Sequence, residues 1–258
     1  MILRRVREHV THHNWFAVAI DLAIVVAGVF LGMQVNNWNQ ARLDRSQARE
    51  YRSMLRDDLT TNLKNLDNRR RYYQWVRDEA LATLTELDHP SSELNEEFLV
   101  HAYQASQIIP WGYKRNTYDQ ILSTGALGKL GNARLGDEVA NYYQGTEITG
   151  ANIAAIPPYR EIIRRVIPYA VQQRVRSRCG EKIGQDSNGA PIIVLPGACT
   201  LGLDAATVQR AVRQVHDWPQ LALDLNRLLV DVDQKLLSVD TIEKRAIITR
   251  KELEQADH

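Results

Sequence analysis

Phe16-Ala17-Val18-Ala19-Ile20-Asp21-Leu22-Ala23-Ile24-Val25-Val26-Ala27-Gly28-Val29-Phe30-Leu31-Gly32-Met33 is the stretch on which the reading of this chain turns. Apart from Asp21 it holds only apolar residues and glycines. Trp15 and Trp38 bracket it, 23 positions apart. A helix between them is ~34 Å long, slightly more than a hydrocarbon core of about 30 Å. Tryptophan at both ends is the aromatic belt of a spanning helix. The pattern predicts a transmembrane helix over residues 16–38. A short cytoplasmic tail, residues 1–15, precedes it, and a soluble domain, residues 39–258, follows. A cleaved signal peptide fits worse, because the run is long and Gln34-Val35-Asn36-Asn37-Trp38 is no small-x-small cleavage site. A buried core helix of this length without polar positions fits worse still. A retained signal anchor is expected.

Asp21 is the one acid in the run. A carboxylate at the bilayer centre costs about 2.5–3.5 kcal/mol, but Asp21 lies six residues from Trp15, and the apolar residues around it outweigh that cost. Two readings stay open: an acid that snorkels to the headgroups, and one that faces another helix or a partner's cation. Gly28 and Gly32 form a GxxxG pair, which lets helix backbones approach closely. Orientation is not decided by basic residues alone. Arg4, Arg5 and Arg7 stand on one side, and Arg42, Arg45, Arg49 and Arg52 on the other. The cysteines tip the balance. Cys179 and Cys199 are the only two, and they flank the Gly/Asn/Pro-rich stretch from Gly180 to Ala198. A disulfide closing that loop suits an oxidising compartment and is worth about 3 kcal/mol in the chain-entropy model. Two separate buried thiols are the alternative. The expected topology is therefore N-terminus inside, with the soluble domain outside the cytoplasm.

The remainder reads as helices. The 258 residues carry a net charge of +1, so no bulk field favours nucleic acid, and nucleic acid is not an expected partner. From Asn39 to Leu87 there is no proline or glycine. Tyr51, Leu55, Leu59, Leu63, Leu66, Tyr73, Val76, Ala80, Leu84 and Leu87 recur at helical steps, predicting an amphipathic helix continuous with the anchor. Shorter helices are predicted over 93–107, from Asn116 or Thr117 to Ser123 with Gly125 as its stop, and from Asn132 or Ala133 toward Ile156. Pro157-Pro158 breaks the chain before a further helix, Tyr159 to Arg178, kinked near Pro168. A turn at 185–189 and a short strand over 192–195 follow. Asp204 caps a helix to about Val215. A last helix opens at Asp217-Pro219 with the stripe Leu221, Leu225, Leu228, Val232, Leu236, Val239, Ile242, and frays from Lys251. The two long stripes predict an antiparallel spine. The fold class is mainly α: a transmembrane helix, then a helical bundle with a small disulfide-closed loop or hairpin.

Two segments resemble a family of uncharacterised bacterial single-pass membrane proteins, known only as a domain of unknown function. They are Gly28-Val29-Phe30-Leu31-Gly32 through Val35-Asn36-Asn37-Trp38-Asn39, and Thr117-Tyr118-Asp119-Gln120-Ile121-Leu122-Ser123-Thr124-Gly125 on to Asn141-Tyr142-Tyr143. The resemblance implies an N-terminal anchor and a helical extracytoplasmic domain, and so a bacterial inner membrane with a periplasmic domain. It implies no activity and carries over no catalytic residue. The cysteine loop and the last helix lie outside the matched segments.

Residue patterns that carry chemistry are sparse. Gly125, Gly128, Lys129 and Gly131 lack the phosphate-loop spacing. His216-Asp217 reads as a cap and a surface histidine, and His12-His13 lack acidic ligands at metal spacing. No cofactor, metal or enzymatic activity is expected. Arg69, Arg70, Arg71, Tyr72, Tyr73 and Trp75 form the densest polar–aromatic cluster, and Trp111-Gly112-Tyr113 is an aromatic loop. Arg69, Arg70, Tyr73, Trp111 and Tyr113 are the candidate partner contacts. For the arginine cluster the competing reading is a solvated face with one or two ion pairs, and for the aromatic loop it is burial within the domain. The expected function is a membrane-anchored structural or interaction protein in contact with lipid, binding itself or another membrane protein. An extracytoplasmic small-ligand sensor, signalling through a partner, is the alternative.

Overall fold

In a computed structural model of the chain, which describes residues 15–110, 112–185, 189 and 191–256, one helix dominates. α1, Trp15–Glu86, runs for 72 residues without a break. That is about 108 Å of helix. The span and the first amphipathic helix are thus one element, as the absence of glycine and proline over 39–87 leads one to expect. It is, among the described residues, the one helix long and apolar enough to cross a membrane, and none of its apolar window is covered by the rest of the chain. Beyond the span, the first buried side chain is Ala48.

The other helices are α2 (Glu96–Gln104), α3 (Asn116–Ser123), α4 (Ala133–Ala154), α5 (Pro158–Val166), α6 (Tyr169–Arg178), α7 (Ala205–His216) and α8 (Leu221–Gln255), with a 3-10 turn at Leu127–Lys129. α8 packs along the inner half of α1. Arg77 meets Asp233 at 2.8 Å and Arg70 meets Asp240 at 2.8 Å, so the two helices run antiparallel. The two predicted stripes form this seam. Leu55, Leu59, Val76 and Ala80 face Leu225, Val232, Val239 and Ile242 in the interior, all 2% exposed or less. At about 25 cal/mol per Å², each such aliphatic side chain contributes roughly 1.5–3 kcal/mol by leaving water.

Local signals hold at most helix ends. Asn132 caps α4 by accepting from the Leu135 amide, Asp204 caps α7 by accepting from the Thr207 amide, and Gly125 ends α3 at φ +64°. Four expectations change. Neither Asn116 nor Thr117 caps α3; Asp58, buried on α1, accepts from the Thr117 amide at 3.3 Å instead. Pro168 separates α5 from α6 rather than kinking one helix, since a proline ring denies the helix its amide. α8 starts at Leu221, and Asp217 ends α7. The charged tail does not fray at Lys251: α8 reaches Gln255, with Leu253 fully buried.

The disulfide-closed element is a hairpin. β1 (Lys182–Gln185) pairs antiparallel with β2 (Pro191–Val194), from Lys182 opposite Val194 to Gln185 opposite Pro191. The Cys179–Cys199 bond closes it at the base. Asp186, Ser187 and Asn188 of the predicted turn lie outside the described residues.

Candidate functional site

The sequence-predicted site residues separate into three groups. On the span, Trp15 and Trp38 are exposed at its two ends, and Asp21, Gly28 and Gly32 are exposed between them. On an ideal helix Asp21, Gly28 and Gly32 fall within about 40° of one another, on one face. A Cβ built at either glycine would meet nothing within 4 Å, so that face is open to close approach.

The polar–aromatic cluster is used internally. Arg69 is 6% exposed and donates to the carbonyls of Ile109 and Pro110; burial pushes its pKa down. Arg70 lies in the α1–α8 seam against Asp240 and Glu243, and its bonds to them, with Glu243 foremost, push its pKa up. Tyr73 is 1% exposed and donates to the Ile153 carbonyl at 3.3 Å. Of these three candidate partner contacts, Arg69 and Tyr73 lie in the bundle interior and Arg70 is half-buried in the seam. The reason is tertiary: α8 supplies acids at positions 240 and 243, one helical turn apart, that no local pattern announces. Tyr113 is half-buried, 6.4 Å from the Tyr143 ring, with Arg115 donating to its hydroxyl at 3.2 Å. Trp111 and the tail residues 1–14, His12-His13 among them, lie outside the described residues.

A buried cation escaped the sequence reading altogether. Lys235 sits within the α8 stripe, 2% exposed. Its ammonium donates to the carbonyls of Asn152 at 2.9 Å, Ile153 at 2.7 Å and Ala155 at 2.5 Å, where α4 ends. Those carbonyls lack helical partners, and a cation also suits the negative end of the helix dipole. Burial nevertheless pushes its pKa down to about 8.

Two open grooves lie at opposite ends of the bundle. The one nearer the span encloses about 770 Å³. One wall is a face of α1 carrying Trp38, Arg42, Arg45, Arg49 and Arg52, in steps of three and four that keep them together. The other wall is the turn at Leu127–Lys129 with Gly131, and Ala256 at the end of α8. Arg52 ties the walls by donating to the Leu130 carbonyl at 2.6 Å, and Lys129 reaches Asp44 at 3.3 Å. Arg45 donates from Nε to the Ala41 carbonyl at 3.0 Å, which turns its guanidinium back toward the span. Arg42 and Arg49 are exposed and make no ion pair among the described residues. In the sequence these arginines counted only toward orientation. Their spacing was readable, but the facing wall was not.

The second groove encloses about 660 Å³ between Trp75 and Glu79 of α1, α2, and the loop from Pro196 to Thr200 beside the disulfide. His101 bonds Glu79 at 2.7 Å and stands 3.8 Å from Glu97. The Glu79 bond pushes the His101 pKa up, while burial pushes the Glu86 carboxyl up. Compared with family models, curated proteins and solved structures, the chain matches none of them.

Proposed function

We propose that this chain is a membrane-anchored structural or interaction protein, an accessory or scaffolding subunit that holds a periplasmic bundle at a bacterial inner membrane. It presents that bundle to another copy or to another membrane protein. The continuity of α1 from Trp15 to Glu86 carries this reading. Span and bundle share one rod, so whatever packs against the span sets the orientation of the whole domain. Asp21, Gly28 and Gly32 supply a face for such packing: small residues for close approach, and an acid whose cost falls when a partner satisfies it. The disulfide supports an oxidising side for the bundle and hence the N-terminus inside.

Gentle detergent solubilisation, crosslinking and mass measurement test the proposal. The expected particle is a multiple of the chain mass or holds a second membrane protein in fixed ratio. A strict monomer with nothing bound overturns it. In a membrane two-hybrid assay, Gly28→Ile with Gly32→Ile lowers self-association, and an unchanged signal removes this face from the reading.

A ligand sensor is the second reading. The groove beside the disulfide favours it, because its Glu79 wall belongs to the helix that enters the membrane. A small molecule that raises the unfolding temperature of the full chain, and fails to do so for Glu79→Gln, supports a sensor; a screen without such a molecule sinks it.

A further inference from the structure

We propose that the cationic groove at the foot of the bundle seats the phosphate headgroup of an anionic phospholipid, drawn from the leaflet out of which α1 emerges. This rests on reading the apolar half of α1 as an anchor. Depth is the first argument. The headgroup layer is roughly 5–8 Å thick on each side of the hydrocarbon core. Counting from Trp38 at its inner edge, Arg42 stands about 6 Å up the helix, Arg45 about 10 Å and Arg49 about 16 Å. The guanidinium of Arg45 is turned back toward the span by its bond to Ala41. Arg42 and Arg45 therefore stand at the level of lipid phosphates, and Arg49 stands above them.

Charge is the second argument. Among the described residues lining the groove, five cations face one carboxylate, Asp44, and that carboxylate is engaged by Lys129. Several arginines elsewhere on the bundle are held by acids of the chain, among them Arg70 by Asp240, Arg77 by Asp233, Arg115 by Asp119 and Arg134 by Glu252. Arg42 and Arg49 are not, although they share a face with two further arginines. A guanidinium presents a planar fork that matches phosphate oxygens. With Asp44 occupied, no acid remains to attract the cationic head of a zwitterionic lipid, so the site selects net negative charge.

Placement is the third. On an ideal helix the arginine face lies roughly 100° around from the face of Asp21, Gly28 and Gly32. A helix packed on the glycines leaves the groove open sideways to lipid.

The test is native mass spectrometry of the full chain released from mixed micelles of equimolar phosphatidylglycerol and phosphatidylcholine. The wild type retains phosphatidylglycerol preferentially. Arg42→Gln with Arg45→Gln and Arg49→Gln lowers that preference at least tenfold, since each basic residue at a membrane surface is worth roughly fivefold. Arg52 stays, because it holds Leu130. Replacement of the same three by lysine keeps most of the preference, and Arg71→Gln, an exposed arginine paired with Asp67, leaves it unchanged. An unaltered preference in the glutamine variant, with its thermal unfolding also unaltered, overturns the proposal. So does a wild type that holds phosphatidylcholine equally well. Inorganic phosphate added to lipid-free protein separates the sources. If it shields the three arginines from phenylglyoxal as well as the lipid does, the groove takes free anions and the lipid assignment falls. Carbonate extraction from vesicles of the same two lipids keeps the two readings apart. Protein in the supernatant overturns the anchor and this site with it; retained protein without lipid preference overturns this site alone.

Discussion

From Trp15 to Gln47, α1 leaves Val25 and Leu31 exposed, at 63% each; from Ala48 to Glu86 it buries Tyr51, Leu55, Leu59, Leu66, Tyr73, Val76 and Ala80. Both halves are equally helical, because the backbone hydrogen bonds are made along the axis whatever surrounds it. The difference lies in how apolar groups are spread around that axis. The outer half, Asp21 aside, is apolar on every side over its first turns, a composition long and apolar enough to cross a membrane. The inner half is apolar on one stripe and charged elsewhere, which requires one packed neighbour and water. A single helix is thus composed for two solvents, and the arginines from 42 to 52 mark the passage between them.

The largest expected effect separates the halves outright. Val25→Lys with Val29→Lys puts two cations near the middle of the span, at a cost of about 6 kcal/mol on insertion scales. Carbonate extraction then releases most of the protein, while far-UV circular dichroism and the unfolding temperature of the bundle stay as they are. Loss of the bundle's melting transition in that variant would merge the two halves. Next, Leu59→Ala opens a cavity in the seam and lowers bundle stability by about 3 kcal/mol in a denaturant titration, whereas Leu31→Ala changes it by less than about 0.5 kcal/mol. Equal effects would mean that the outer half is packed on protein. Arg70→Met removes a half-buried guanidinium from Asp240 and Glu243 and costs about 1–2 kcal/mol. The same change at the groove, Arg49→Met, costs nothing measurable in unfolding.

The smallest effect is a pH dependence at the far end of the inner half. His101 has its pKa raised by Glu79, so its stabilising contribution is complete below its unfolded value of 6.5 and disappears as pH rises through the higher folded value. Glu86, raised by burial, acts in the same direction, since its folded form also holds a proton to higher pH. Stability of the wild type therefore falls from pH 6 to about pH 8, above which the lowered Lys235 acts in the opposite direction, and His101→Gln flattens that slope. A slope unchanged in the variant would assign it to other groups.

Much of this architecture was legible because its signals are local. The length of α1 follows from an apolar run and a helical stripe with no breaker between them, and the hairpin from two cysteines around a turn-rich stretch. The caps at Asn132 and Asp204 needed only their own neighbours. What escaped depended on segments far apart in the chain. Asp58 caps α3 from another helix, Lys235 finds the carbonyls that end α4, and Arg70 meets acids 170 and 173 positions away. The end of α8 looked like a fraying tail because charges surround Leu253, although Ala246, Thr249 and Leu253 continue the buried stripe. The groove was half legible: its arginine face could be traced by spacing, but Lys129 and Ala256 came from elsewhere.

An unbroken α1 also fixes a phase. Each residue advances the helix by about 100°, which is close to the angle between its glycine face and its arginine face. One residue inserted between Gly32 and Trp38 would lift the bundle by only about 1.5 Å, yet turn the arginines into line with the glycines. The azimuth of the whole domain about its axis is therefore set by the number of residues in that short segment.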